Sequence, residues 1–222
     1  MTRQRWNRVY IAGVGILVGC GGGGGGGTGP CTPGVATQLV KSAGDGQAWY
    51  VNNPLPAPLS VTARDANACP IPGVVVDWTI QTGGGGLSTA QSTTNSSGVA
   101  STVDSVGATS PQVVRATAAG LPAQDFMATA TGPPSSVGVD IVNTAFSPAS
   151  VVVQASGTVT WTWKDSPIVH NVTYTNAPGT LPASSTTKDA GTFSTTFTQV
   201  GTYKYVCTVH GQMNNGVVTV VH

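Results

Sequence analysis

Gly201-Thr-Tyr-Lys-Tyr-Val-Cys207-Thr-Val-His210-Gly-Gln-Met213-Asn-Asn-Gly216 decides how the chain is read. A Tyr- and Val-rich strand enters this stretch, and a Val-rich strand, Val217 to Val221, leaves it. Between them a thiol, an imidazole and a thioether recur at three-residue intervals: Cys207, His210 and Met213. Three such donors on one short loop can converge on one soft metal ion. One thiolate, imidazoles and a weak, distant thioether suit copper in a trigonal electron-transfer site. That geometry calls for a second histidine, and His170 in Asp165-Ser-Pro-Ile-Val-His170-Asn171 is the upstream candidate. A structural zinc site would want four strong ligands, and this region offers three and a thioether.

Upstream, Gly157-Thr-Val-Thr-Trp-Thr-Trp163 alternates Thr158, Thr160 and Thr162 with Val159, Trp161 and Trp163. Its period of two predicts a strand with one buried face, with both Trp residues in the core. Phe193 to Phe197 and Gly201 to Cys207 predict further strands. These segments, with Asp165, His170-Asn171 and Cys207-x-x-His210-x-x-Met213, make residues 137–222 similar to the cupredoxins, the plastocyanin–amicyanin–pseudoazurin family. The resemblance implies a Greek-key β-sandwich with one type 1 copper. It implies His170, Cys207 and His210 as equatorial ligands and Met213 as the weak axial one. Asn171 would tie the His170 loop to the Cys207 loop by hydrogen bonds, and His210 would be the electron port. The two-residue gap between His210 and Met213 resembles amicyanin. Gly211 stands where relatives often carry Pro, Asn214 and Asn215 lengthen the approach to Gly216, and residues 176–192 form a longish polar loop.

Residues 31–131 alternate short apolar runs with turn clusters, which predicts an all-β sandwich. Leu59 to Ala63, Val74 to Ile80, Gly98 to Val103, Gln112 to Ala118 and Asp125 to Ala130 read as strands; Gly83 to Gly86 reads as a separator. Gly44-Asp-Gly-Gln47, Leu55-Pro-Ala-Pro-Leu59, Val61-Thr-Ala-Arg-Asp65, Trp78 and Gly98-Val-Ala100 resemble the bacterial Ig-like repeats of invasin and intimin proteins. Such domains act mostly as spacers or adhesive modules. This region contains no His and no paired-carboxylate motif. Thr131-Gly-Pro-Pro-Ser-Ser136 marks the boundary, with residues 132–136 as an extended linker. The fold class expected is therefore all-β, two sandwich domains in series.

Residues 1–19 read as a signal peptide: a basic start, Met1 to Arg8, and an apolar run, Val9 to Val18, too short to span a bilayer. Leu17-Val18-Gly19-Cys20 resembles the lipobox of bacterial lipoproteins, which implies lipidation of Cys20. Gly21 to Gly27 follow, so residues 20–30 read as a flexible tether. With Cys20 lipidated and Cys207 on a metal, Cys31 and Cys69 remain as a pair. In an exported protein they are a candidate disulfide, contributing roughly 3–4 kcal/mol in the chain-entropy account. Two unpaired thiols are the other reading.

Charged residues make up 8% of the 222-residue chain. From Cys20 onward six basic residues face eight Asp, or about −2, with no clustered basic face for nucleic acid. Three histidines in the whole chain are too few for the extra copper centres of multicopper oxidases or copper nitrite reductases. A coordination shell filled by protein leaves no open position for a small-molecule substrate. The sequence thus leads to the expectation of an electron carrier, not an enzyme. It would be an exported lipoprotein on the periplasmic face of a membrane or at the cell surface, exchanging electrons with redox partner proteins. Copper delivery by the same ligands, and an adhesion or structural lipoprotein with a cupredoxin scaffold, are the alternatives. The last residue, His222, reads as a free tail.

Overall fold

The computed structural model describes residues 31–222. The expected signal peptide, Cys20 lipidation and Gly-rich tether lie outside the described residues. No described residue is helical, and no described helix is long and apolar enough to cross a membrane.

The first ten strands are β1 (Gln38–Ala43), β2 (Gln47–Tyr50), β3 (Leu59–Arg64), β4 (Val75–Thr82), β5 (Gly85–Leu87), β6 (Gln91–Thr93), β7 (Val99–Thr102), β8 (Asp104–Val106), β9 (Gln112–Thr117) and β10 (Gln124–Thr131). They form a sheet in the order β1-β3-β7, a second in the order β2-β10-β9-β4-β6, and the small pair β5-β8. Leu59, Val61, Val76, Trp78, Val114 and Phe126 fill the core between them. Trp78 and Phe126 pack with ring centroids 5.9 Å apart. Gly85 and Gly86, within the Gly83 to Gly86 stretch that reads as a separator, instead form a strand with Leu87 that pairs with β8. A Cβ on Gly85 would lie 2.0 Å from the Ser105 carbonyl, so glycine permits a close backbone pairing that its turn-like composition hides.

Eight more strands follow: β11 (Ser136–Val142), β12 (Ala145–Ser147), β13 (Ser150–Gln154), β14 (Gly157–Trp163), β15 (Thr173–Asn176), β16 (Gly191–Phe197), β17 (Gly201–Val206) and β18 (Gly216–Val221). They make two four-stranded sheets, β12-β11-β14-β16 and β13-β18-β17-β15. Strand β14 shows why they face each other. Val159, Trp161 and Trp163 are buried, while the threonines point outward. There Thr158 and Thr160 hydrogen-bond across the strand to Thr196 (3.0 Å) and Ser194 (2.9 Å). Along β17, Tyr203 and Tyr205 share the inward parity, and two residues on that parity delivers Cys207 to the same interior. Burial pushes the Tyr205 phenol up to about 12, so it is neutral at physiological pH.

The linker is not a free strap. The Pro134 and Ser135 carbonyls accept from the Gln154 and Thr158 amides at 2.9 and 3.0 Å. The main chain of His222 is not free either. Its N–H donates to Asn53 Oδ1 (3.0 Å), and Asn53 Nδ2 donates to its carbonyl (3.3 Å). Cys31 and Cys69 are disulfide-bonded cysteines; Cys207 is a free, buried thiol.

Gly216 sits opposite Tyr205 in the β17–β18 ladder. A Cβ there would lie 2.3–2.5 Å from three carbons of the Tyr205 ring, which is itself fully buried. The ring has no room to retreat. Gly216→Ala is expected to destabilise the protein by about 1–3 kcal/mol through overpacking, measured by urea denaturation; an unchanged midpoint would show that the core around Tyr205 is slack.

Candidate metal centre

Two loops meet at one end of the second sandwich. One follows β14 and carries His170; the other joins β17 to β18 and carries Cys207, His210 and Met213. Backbone hydrogen bonds shape the second loop. The Cys207 amide donates to the Met213 carbonyl (2.8 Å), and the Met213 amide donates to the His210 carbonyl (3.0 Å). These bonds fold the seven residues Cys207 to Met213 into a closed turn, although Gly211 supplies no proline rigidity. Met213 is 1% exposed and lies in the same core cluster as Cys207.

The His170 segment is pinned from three sides. Its amide and carbonyl pair with those of Lys188 at 2.8 and 3.0 Å, and Trp163 Nε1 donates to the His170 carbonyl at 3.0 Å. The polar stretch before β16 provides that Lys188 partner. It also supplies the Ser184 and Ser185 hydroxyls, which accept from the Tyr174 and Val172 amides. A segment that reads as a loop departing from the expected pattern is therefore laid along β15 and packs beside the site. Lys188 Nζ sits 4.5 Å from the Trp163 ring centroid, a cation–π contact.

Asn171 joins the two loops. Its Oδ1 accepts from the Thr208 amide (2.9 Å), and its Nδ2 donates to Thr208 Oγ1 (2.7 Å) and Thr187 Oγ1 (3.2 Å). Asn171 is buried, so each bond is made in a setting where an unmade one is costly.

With the loops joined, three donors converge. His170 Nδ1 lies 3.9 Å and His210 Nδ1 3.8 Å from Cys207 Sγ, and the donor atoms all fall within 4.8 Å of one another. Two bonds of about 2.1 and 2.3 Å to a common ion span roughly 3.8 Å at a trigonal angle and roughly 3.6 Å at a tetrahedral one. The observed separations fit the wider angle. A soft thiolate and two imidazoles are a donor set that suits copper. His170 and Cys207 are buried and His210 is partly exposed. The sequence-predicted residues His170, Asn171, Cys207 and His210 are thus brought together, with Met213 buried on the same loop.

One participant belongs to the matched sequence pattern, but its role at the site is not evident from sequence. Asp165 Oδ2 lies 3.1 Å from His170 Nε2. The Thr144 amide, donating to this carboxylate at 2.8 Å, and the Asn143 amide, at 3.0 Å, hold it below the usual carboxylate pKa range. Those amides come from the β11–β12 turn, about 20 residues away in sequence.

Residues 134–221 match the family of copper binding proteins described as plastocyanin/azurin. This part of the chain is a cupredoxin domain. Similar solved structures include a novel purple cupredoxin from Nitrosopumilus maritimus, 27% identical over 38% of this chain and 99% of that one, with a TM-score of 0.34. A mutant of amicyanin in a reduced Cu(I) form is 32% identical over 39% of this chain and 82% of that one, with a TM-score of 0.35. Oxidised plastocyanin from Dryopteris crassirhizoma is 24% identical over 38% of this chain and 100% of that one, with a TM-score of 0.34. No curated protein matches the chain. Copper is the cofactor that the family and the His-Cys-His cluster support.

Removing the buried Asn171 side chain leaves the Thr208 amide without its acceptor and cuts the link between the two loops. Asn171→Ala is expected to lower the stability of the metal-free protein by about 1–3 kcal/mol, read by chemical denaturation. A change under a few tenths would mean that the two loops hold their places without it.

Proposed function

We propose that this protein carries single electrons by cycling one type 1 copper between Cu(II) and Cu(I). The observation that carries the reading is the convergence of His170 Nδ1 and His210 Nδ1 on Cys207 Sγ, at 3.9 and 3.8 Å, with all three donors within 4.8 Å of one another. His170, Cys207 and His210 would hold the copper, with Met213 as a further, weaker ligand. A copper held by these groups supplies a one-electron couple. The chain's own contribution is to hold the donors still. The Asn171 side chain, the Lys188 backbone and the Cys207–Met213 backbone bond each fix a ligand-bearing segment before any ion arrives. A cage that does not rearrange keeps the cost of electron transfer low, and it disfavours metal release. That argues for electron carriage over copper delivery.

His210 is the ligand that reaches the surface, since His170 is wholly buried. Exposed Val209 precedes His210, and exposed Ile168 and Val169 precede His170. Exposed apolar residues next to both histidines suit brief docking with a redox partner protein. Long-range electrostatic steering would be weak, because three Lys balance three Asp over residues 137–222.

The rest of the chain supports a tethered carrier. Strand β17 ends beside Cys207, and β18 runs from the ligand loop to Val221. Strand β11 starts at Ser136 and runs parallel to β14, which ends at Trp163 beside His170. Chain entry and exit are therefore at the end of the sandwich away from the metal loops, where Asn53 of the first domain binds the His222 main chain. In this reading an anchor at Cys20, a Gly-rich tether and an Ig-like spacer present the copper face outward, on the periplasmic side of a membrane or at the cell surface.

The decisive experiment is copper loading of the purified chain. An intense thiolate-to-copper charge-transfer band, narrow copper hyperfine splitting by EPR, and a reversible one-electron wave are expected. Cys207→Ser should abolish the band. Weak absorption like that of histidine-bound copper, or a centre that cannot be cycled, would contradict the reading and favour a scaffold or delivery role.

A further inference from the structure

Both ring nitrogens of His170 are committed. Nδ1 faces Cys207 Sγ at 3.9 Å, and Nε2 faces Asp165 Oδ2 at 3.1 Å. An ionised carboxylate only accepts hydrogen bonds. Nε2 must therefore carry a proton, so in the neutral ring the Nδ1 lone pair is the one directed at the thiol. The carboxylate is itself fixed. Its Oδ1 accepts from the Asn143 amide and its Oδ2 from the Thr144 amide. Both donors adopt left-handed backbone, at φ of 52° and 56°, and so turn two successive N–H groups toward one anion. Among the described residues no Lys or Arg forms a salt bridge with Asp165; His170 is its ionisable partner. The pair sits in a low-dielectric setting: the His170 side chain is 0% and the Asp165 side chain 12% exposed.

We propose that Asp165 is a positioning residue for the copper centre: held by the Asn143–Thr144 turn, it fixes the tautomer and ring orientation of His170, and its negative charge favours Cu(II) over Cu(I). The inference rests on His170 being a ligand. A negative charge one imidazole away stabilises the more highly charged ion more, and the effect is strengthened by burial. Outer partners of ligand histidines commonly alter metal affinity 10–100-fold.

Asp165→Asn keeps the shape and an acceptor oxygen while removing the charge. In the copper-loaded full chain, voltammetry should show a raised reduction potential. A tenfold fall in the ratio of Cu(II) to Cu(I) affinity corresponds to about 59 mV for a one-electron couple. Asp189→Asn is the control. Asp189 accepts from the Ser166 hydroxyl (3.0 Å) and does not form a salt bridge with His170 among the described contacts, so it should move the potential less. An unchanged potential in Asp165→Asn, or an equal shift in Asp189→Asn, would overturn the proposal. A second measurement needs neither variant nor metal. Imidazole nitrogen NMR of the metal-free wild-type chain should show His170 protonated at Nε2 and bare at Nδ1; the opposite tautomer would also overturn it. If copper loading gives no charge-transfer band, the electron-carrier reading fails, while the tautomer measurement still decides the role of Asp165.

Discussion

One side chain holds the site together. Asn171 follows a ligand candidate on one loop and binds the amide and hydroxyl of Thr208, the residue after Cys207 on the other. The two loops are 37 residues apart in sequence. Folding brings them to the same end of the sandwich, but only a fixed cross-connection sets their separation to within a fraction of an ångström. Two imidazole nitrogens 3.8–3.9 Å from the Cys207 sulfur leave room for an ion between them and it.

The sandwich beneath serves that connection. Alternation along β14 and β17 buries Trp161, Trp163, Tyr203 and Tyr205, and Trp161 and Tyr205 pack edge to face with centroids 5.2 Å apart. Interiors this close-packed transmit displacement. Cys207 continues the inward parity of Tyr205, and Gly216 leaves room for that same ring. The position of the thiol thus depends on aromatic packing as much as on the loop that bears it. Behind His170, the Trp163 indole and the Lys188 backbone anchor the main chain, and Asp165 holds the imidazole from its far side.

Much of this is legible in the sequence because it is local. The period of two in Gly157 to Trp163 specifies which face is buried. The three-residue spacing of Cys207, His210 and Met213 specifies a shared loop. His170-Asn171 is recognisable by its context. Other features are not local and leave no pattern. Asp165 stands in the matched pattern, but the turn at Asn143–Thr144 that holds it comes from another strand pair. The pairing of Lys188 with His170 lies in a segment whose polar composition suggests only a loop. Gly85 and Gly86 read as a turn because glycine is permissive, and their strand pairing with Ser105 and Val106 is set by the partner. The Asn53 contact with the His222 backbone spans 169 residues and could not be read from either end.

The central claim is that the protein presents one ready-made trigonal site to copper. Copper-edge X-ray absorption of the loaded chain, recorded in the oxidised and the reduced state, tests it most directly. The account predicts one short sulfur bond and two nitrogen bonds in both states, with little change on reduction. A shell dominated by oxygen and nitrogen without the short sulfur bond, or one that changes coordination number between states, would contradict it.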